Sequence, residues 1–170
     1  QIKKIRPDIK CKLIRGNVDS RIKKLKDGLF DGIILSYAGV KYLNFENEIS
    51  EIFSEEEIIP SAGQGIIALQ CREHDKEIIS ILKKINDDET SKRAYVERNV
   101  LKILEGDCET AVGAHCKIEG DKIILEAELF SLDGSERFYE KKSCKINEFK
   151  ELGKEVGQNL KAKSNYSYKR

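Results

Sequence analysis

In the first third of the chain, apolar positions change from a strand period to a helix period and back. Residues 11–14 and 30–36 are short apolar runs that favour buried strands, and Ile22, Leu25 and Leu29 between them occupy one helix face. This order predicts a βαβ unit with a parallel strand pair, and therefore an α/β domain. One βαβ unit takes about 30 residues, so the 59 residues before Pro60 hold no complete sheet. We expect this domain to be incomplete on its N-terminal side.

The middle of the chain is a turn-rich passage followed by one short helix. Residues 58–65 are rich in turn formers, and the apolar run 66–69 follows them. Helical spacing then relates Ile78, Ile79, Leu82 and Ile85, which predicts an amphipathic helix. The polar residues that come next, up to Ser91, favour a linker or a helix cap.

The last third predicts a small α+β domain. Val96, Val100 and Ile103 indicate a helix that ends at Gly106. Two good hairpin turns then separate three candidate strands at residues 111–118, 122–132 and 137–145. Helices around such a meander form a compact fold with a three-stranded antiparallel sheet.

A final helix follows the third strand. We expect Asn147 to cap it and Phe149, Leu152, Val156 and Leu160 to share one face. The lysine-rich tail after Leu160 predicts a frayed end.

Composition excludes several functional classes. The 170 residues contain 31 Lys+Arg and 30 Asp+Glu, a formal charge of +1, so no whole-molecule field favours nucleic acid or an anionic membrane as a partner. Apolar runs are too short to span a bilayer, and the first residues lack the apolar core of a secretory signal. Five cysteines without a Cys-x-x-Cys pair predict a reducing, cytoplasmic setting. The absence of methionine suggests a piece of a longer product.

A candidate anion site lies where the first predicted strand meets the first long helix. Arg15 and Arg21 flank a turn in which Gly16 and Asn17 tolerate unusual backbone dihedrals. Paired guanidinium groups beside a helix N-terminus suit carboxylates or phosphates. Spacing alone favours ordinary surface arginines, so a second motif has to support this site.

Cys108 is the candidate reactive residue. It lies in a loop between a predicted helix and a predicted strand, and its neighbours Asp107 and Glu109 are acidic. Two carboxylates would tend to raise the pKa of the thiol, which argues against a hydrolytic thiolate. A single permanent covalent attachment makes no such demand.

The other cysteines favour structural roles. A zinc site from Cys71, His74, His115 and Cys116 would need two adjacent strand residues on one ion. Adjacent strand residues point to opposite faces, so we predict no metal.

An ordered set of segments resembles the porphobilinogen deaminase (hydroxymethylbilane synthase) family. Each segment is a weak signal alone, whereas their shared order over most of the chain is specific. The segments are residues 15–21, 31–39, 60–65, 97–98, 104–108 and 133–135.

The resemblance implies a three-domain transferase of haem biosynthesis that is monomeric at full length. Such an enzyme joins porphobilinogen head to tail into hydroxymethylbilane and releases ammonia at each step. A dipyrromethane cofactor held by a thioether primes the chain. By this resemblance Cys108 carries the cofactor, Arg15 and Arg21 bind carboxylates of the cofactor and the growing oligopyrrole, and Gly16, Asn17 and Gln64 complete the cofactor site.

The resemblance also implies a division of the chain. Residues 1–58 are the latter part of a second, periplasmic-binding-protein-like α/β domain, and 59–86 are a crossover strand and helix that belong to an absent first domain. Residues 87–170 are the cofactor-attachment domain. Because the first domain and its catalytic aspartate are absent, the resemblance implies no certain catalytic residue and no turnover by this chain alone. Tyr42 stands where many members have another arginine, and Asp107 replaces a usual glycine.

Two other functions are compatible with parts of the pattern. The fold implied for the arginine turn is shared with non-catalytic solute binders, in which the same loop holds an anion. A hydrolase built on Cys108 ranks last because no histidine is placed to activate the thiol.

Overall fold

The computed structural model describes residues 1–107 and 110–169, and the chain divides after Ile58 into two units, Gln1–Ile58 and Ile59–Arg170. Cys108 and Glu109 therefore lie outside the described residues. Each unit is built in a different way.

Short helices joined by long loops form the first unit. It contains α1 (Ile2–Ile5), α2 (Val18–Lys26), α3 (Tyr37–Tyr42) and a 3₁₀ turn, Glu46–Glu48. Among its described residues, Ile22 of α2 and Val40 of α3 are the buried apolar side chains. The helix predicted from the spacing of Ile22, Leu25 and Leu29 is confirmed, but it ends before Leu29, which is 64% exposed and not on its buried face.

The two strands predicted in this unit are wrong. Residues 11–14 and 30–36 belong to no strand, and Leu13 and Ile34 are 79% and 55% exposed. A strand exists only where a neighbouring backbone takes up its N–H and C=O groups. Among the described residues no such partner lies beside either segment, so the apolar runs stay as loops.

The crossover strand predicted within 59–86 does not form, and Ile67 in its apolar run is 87% exposed. Two helices open the second unit. In α4 (Lys76–Ile85), the side chain of Asp75 accepts a hydrogen bond from the Ile78 N–H at 3.1 Å. In α5 (Asp88–Leu104), Asp87 accepts from the Thr90 N–H at 2.7 Å. These bonds satisfy N–H groups that a helix start otherwise leaves open.

Helix α5 ends one residue earlier than the glycine rule predicts. The left-handed residue is Glu105, with φ of 52°, and not Gly106. Glutamate pays a steric cost in that region, so surrounding contacts must hold it there.

The predicted meander is confirmed. Strands β1 (Val112–Glu119), β2 (Lys122–Phe130) and β3 (Arg137–Lys145) form an antiparallel sheet in the order β1-β2-β3. Strand β2 ends two residues before its predicted end, because Ser131 already belongs to the turn around Asp133.

Helix α6 (Phe149–Ser164) packs beside α5, and both helices cover one face of the sheet. Glycine lets the two helices meet closely, since a Cβ at Gly153 would lie 2.1 Å from the Val96 carbonyl oxygen. The core that results contains Val96, Val100, Leu104, Ala114, Cys116, Ile123, Leu125, Ala127, Leu129, Leu152, Val156, Leu160 and Tyr168.

Two expectations about α6 are wrong. A 3₁₀ turn, Ile146–Glu148, leads into the helix, so Asn147 lies inside that turn and Glu148 holds the N-cap position. The tail is not frayed, because α6 continues to Ser164 and Tyr168 is buried in the core. Buried aromatic surface outweighs the lysine-rich composition around it.

Among the described residues, no helix combines the length and apolar character that crossing a bilayer would require.

Candidate functional site

Side chains of α2 hold the arginine turn in place. Three successive carbonyls, those of Arg15, Gly16 and Asn17, accept hydrogen bonds from that helix. The donors are Lys24 Nζ at 2.7 Å, Arg21 Nε at 2.7 Å and Ser20 Oγ at 2.8 Å, in the same order. The turn is therefore fixed by its own sequence, although the strand predicted before it does not form.

Gly16 is required at this turn. Its φ is +120°, and a Cβ there would lie 2.4 Å from Ser20 Oγ. A larger residue would be strained and would displace the hydroxyl that bonds to the Asn17 carbonyl.

The turn leaves positive donors available. Arg21 uses Nε internally, and no described residue bonds its terminal nitrogens or the Arg15 guanidinium. Asn17 is the N-cap of α2 but makes no side-chain capping bond, so first-turn N–H groups also remain open. The carboxylate of Asp19 lies in the same first turn and opposes this field. The arrangement suits an acidic ligand with more than one carboxylate.

Two consecutive turns display Gln64 in the second unit. The Gln64 N–H donates to the Ser61 carbonyl at 3.0 Å, and the Ile66 N–H donates to the Gly63 carbonyl at 3.1 Å. Gly63 and Gly65 have φ of +78° and +76°, which the third position of a type II turn demands. The Gln64 side chain is exposed.

A buried carboxylate attaches this glycine turn to the core. Glu97 of α5 is only 2% exposed, and its two oxygens accept from the N–H groups of Gly63 and Cys116, each at 2.8 Å. Cys116 lies on β1, so one side chain joins the turn, the helix and the sheet edge. Burying a carboxylate is costly unless it is hydrogen-bonded, and both oxygens meet that need here.

Backbone contacts continue this attachment along β1. The Ala114 N–H donates to the Pro60 carbonyl at 2.8 Å. Ile59 is buried over Gly113, where a Cβ would lie 2.7 Å from the Ile59 carbonyl oxygen. The Pro60 carbonyl and the Glu97 carboxylate thus accept hydrogen bonds from the N–H groups of Ala114 and Cys116, which an edge strand would otherwise leave unpaired.

Asp107 and Thr110, which flank Cys108 and Glu109 in the sequence, form hydrogen bonds with each other. The Thr110 N–H and Oγ1 both contact Asp107 Oδ1, at 3.1 and 3.2 Å, and the Asp107 N–H donates to Thr110 Oγ1 at 3.1 Å. Asp107 and Thr110 are therefore held against each other by both side-chain and backbone groups. The assignment of the cofactor to Cys108 falls outside the described residues.

Cys116 has the properties of a structural cysteine. It is fully buried on the helix-covered face of the sheet, and burial together with the nearby Glu97 carboxylate raises the pKa of its thiol. His115, the neighbouring strand residue, is partly exposed, and its Nδ1 lies 3.9 Å from Glu97 Oε1. Among the described residues, no group of three potential ligands could hold a metal ion.

The structure brings Arg15, Gly16, Asn17 and Arg21 together in one turn of the first unit, and it places Gln64 in the second unit. Sequence reasoning recognised Glu97 only as part of a motif and missed its contacts. A signal was present, because Glu97 falls within the apolar stripe of Val96, Val100 and Leu104.

These features define a class of protein with two dissimilar units. One unit presents cationic donors at a helix N-terminus, and the other holds a cysteine segment between a helix and an antiparallel sheet. The first 80 residues match the family model described as "Porphobilinogen deaminase, dipyromethane cofactor binding domain". Residues 91–162 match that described as "Porphobilinogen deaminase, C-terminal domain".

Curated relatives give the same result. The chain is 38% identical over 162 residues to porphobilinogen deaminase of Desulforamulus reducens, covering 95% of the chain and 52% of that relative. It is 38% identical over 165 residues to the Campylobacter jejuni enzyme, covering 96% and 53%. It is 41% identical over 145 residues to the Exiguobacterium sibiricum enzyme, covering 84% and 47%. The chain belongs to the porphobilinogen deaminase family, and it spans about half the length of these relatives.

Proposed function

We propose that the protein containing this chain joins porphobilinogen units head to tail into hydroxymethylbilane, on a dipyrromethane cofactor attached to Cys108. The match of both units to domains of one family carries the proposal. The arginine turn supports it independently, because every pyrrole unit carries two carboxylates that need fixed cations.

Attachment is a substitution at a methylene carbon. The Cys108 sulfur forms a C–S bond to the aminomethyl carbon of a porphobilinogen unit, the C–N bond breaks, and the thiol proton leaves with the amine as ammonia. Each elongation replaces a C–N bond with a C–C bond to a free pyrrole carbon, which loses its proton as another ammonia leaves. The cofactor, when bound, supplies the pyrrole carbon that accepts the first substrate.

Arg15 and Arg21 hold carboxylates in this proposal. No described residue binds the Arg15 guanidinium or the terminal nitrogens of Arg21, so these donors can bind a ligand. The bond from Arg21 Nε to the Gly16 carbonyl fixes the direction of the Arg21 side chain. Gly16 and Asn17 shape the turn from which these donors extend. Gln64 contributes a neutral amide from an exposed turn that Glu97 fixes in place.

We also propose the domain division implied by the family. Residues 1–58 are part of the periplasmic-binding-protein-like second domain, 59–86 return to the first domain, and 87–170 form the attachment domain. Apolar residues of α4 support the middle assignment, since Ile78, Ile81 and Ile85 are 39%, 49% and 64% exposed. The cytoplasmic location and the monomeric state remain predictions.

A second candidate is a non-catalytic anion-binding module. The arginine turn favours this second candidate, because the turn could hold an acidic ligand without any covalent step. The two candidates differ in whether a covalent adduct forms on Cys108.

Intact mass spectrometry of the whole protein tests the proposal. We expect an increment equal to a dipyrromethane group, lost in Cys108→Ser and retained in the matched control Cys11→Ser, which alters an exposed cysteine of the same chain. Tetrapyrrole formation from porphobilinogen should follow the same pattern. An active whole protein of unmodified mass would refute Cys108 as the attachment site, and an inactive one that binds carboxylates reversibly would favour the module.

A further inference from the structure

The C-terminal segment, residues 165–169, returns to the end of helix α5. Tyr168 is 3% exposed, and its hydroxyl donates to the Leu104 carbonyl at 3.2 Å. Leu104 is the last residue of α5 and stands four residues before Cys108 in the sequence. The last carbonyls of a helix have no partner within the helix, and Tyr168 supplies one for the last of them.

Two lysines reinforce the same helix end. Lys161 Nζ donates to the Ile103 carbonyl at 3.4 Å and lies 3.5 Å from Glu105 Oε1, and Lys169 Nζ contacts Glu105 Oε2. Positive charge is favourable at a helix C-terminus. Both lysines also stabilise the carboxylate of Glu105, the residue that takes the left-handed conformation.

The segment is itself anchored elsewhere in the second unit. The Leu132 N–H donates to the Ser167 carbonyl at 3.0 Å, which attaches the tail to the turn after β2. The ring of Tyr168 is part of the core formed by the two long helices and the sheet. The tail therefore connects the sheet to the point at which the chain leaves α5.

We propose that residues 165–169 are a positioning element that fixes residues 104 and 105 at the end of α5, and that this hold speeds cofactor attachment to Cys108. The role of Cys108 rests on the proposed function, whereas the hold on residues 104 and 105 can be measured separately. Tyr168 acts through the Leu104 carbonyl and Lys169 through the Glu105 carboxylate, so both are positioning residues.

Tyr168→Phe in the whole protein is the sharpest test, because it removes the hydroxyl and keeps the ring in the core. Tyr166→Phe is the matched control, since Tyr166 is 55% exposed on the same segment. Hydrogen exchange should be followed at the amides of Glu105 and Gly106, which donate to the carbonyls of Lys102 and Leu101. We expect exchange about five- to tenfold faster in Tyr168→Phe, the effect of losing one hydrogen bond, and unchanged exchange in Tyr166→Phe.

The second measurement is the rate at which Cys108 gains mass when cofactor-free protein is given porphobilinogen. We expect Tyr168→Phe to slow this step several-fold while the melting temperature falls by only a few degrees. Lys169→Gln should also slow the gain of mass on Cys108. Lys169→Arg should gain mass at about the rate of the unaltered protein, because arginine keeps the positive charge beside Glu105.

The outcomes separate the two parts. Unchanged exchange in Tyr168→Phe would overturn the hold on the helix end, and faster exchange with unchanged attachment would overturn the positioning role. If the unaltered protein gains no mass on Cys108, the proposed function fails, and so does the expected effect on attachment. The exchange result then still decides whether the tail fixes residues 104 and 105.

Discussion

At the scale of single residues, Glu97 shows how a charged side chain can be structural. Its two oxygens serve backbone amides from segments that are 53 residues apart in the sequence, Gly63 and Cys116. A side chain buried to this degree normally belongs to an apolar residue. Here the carboxylate supplies the partner for one buried donor, the Cys116 N–H, and for one partly buried donor, the Gly63 N–H.

Replacing Glu97 should therefore destabilise the second unit. Glu97→Ala leaves the buried Cys116 N–H and the partly buried Gly63 N–H unpaired, so we expect a loss of about 3 kcal/mol in the free energy of unfolding, measured by urea denaturation. Glu97→Gln keeps one acceptor and should lose less. In both variants the Gly63 amide should exchange faster with solvent.

The matched control is Glu89→Ala, the same chemical change at an exposed position of α5. We expect it to change the free energy of unfolding by about 0.5 kcal/mol or less. If Glu97→Ala were as mild as this control, the carboxylate would not be what attaches the glycine turn.

At the scale of elements, the turn between β2 and β3 is organised by one aspartate. Asp133 accepts hydrogen bonds from Ser131 Oγ at 2.6 Å and from the Ser135 N–H at 3.0 Å. These bonds, with the Ser131 hydroxyl contributing most, lower the pKa of Asp133 to about 2. The negative charge is thus part of the hairpin.

This turn should make stability depend on pH in acid. An unfolded aspartate has a pKa of about 3.9, so the charged Asp133 stabilises the fold fully above that pH and loses its contribution as pH falls through about 2. Asp133→Ala should lower the melting temperature by a few degrees at pH 7, and the difference should shrink between pH 4 and pH 2. Ser131→Ala, which removes the main donor, should move that loss to higher pH. A difference that is constant with pH would contradict the assignment.

The success of sequence reasoning differed between elements for a physical reason. The three strands of the meander were predictable because alternating burial and turn residues are local signals. The strands at 11–14 and 30–36 were not, since a strand depends on a partner that its own sequence does not encode. The end of α5 at Glu105 and the burial of Tyr168 also depend on distant contacts.

At the scale of the whole molecule, the two units differ in how much apolar surface they bury. Ile22 and Val40 are the buried apolar residues described in Gln1–Ile58, whereas the core of the second unit has 13 described members. Burial of apolar surface is the main favourable term in folding. The glycine contacts between α5 and α6 add tight packing to the larger core.

Native-state hydrogen exchange should reveal this contrast. We expect amides of α2 to exchange through low-energy local opening, and amides of β2 to exchange only when the second unit unfolds as a whole. Exchange measured by mass spectrometry on the chain, with and without mild urea, would show two classes of protection. Equal protection of α2 and β2 would contradict the prediction.

The candidate site was predictable to the extent that motifs specify it. The residues of the arginine turn were named from sequence, and the structure gives the contacts that hold them, such as the bond from Lys24 to the Arg15 carbonyl. The support around Gln64 was not named, because a long-range bond between a side chain and a backbone amide has no local pattern. The role of Cys108 stays a prediction.

The contacts of Glu97 have a consequence for how this sequence can change over generations. A carboxylate that accepts hydrogen bonds from backbone N–H groups places no demand on the side chains of those residues. Every residue except proline has such an N–H group. Position 63 is limited by its positive φ, and position 116 by the volume available in the core. Cys116 can therefore be replaced by another small apolar residue, whereas no other residue is equivalent to Glu97 at its position.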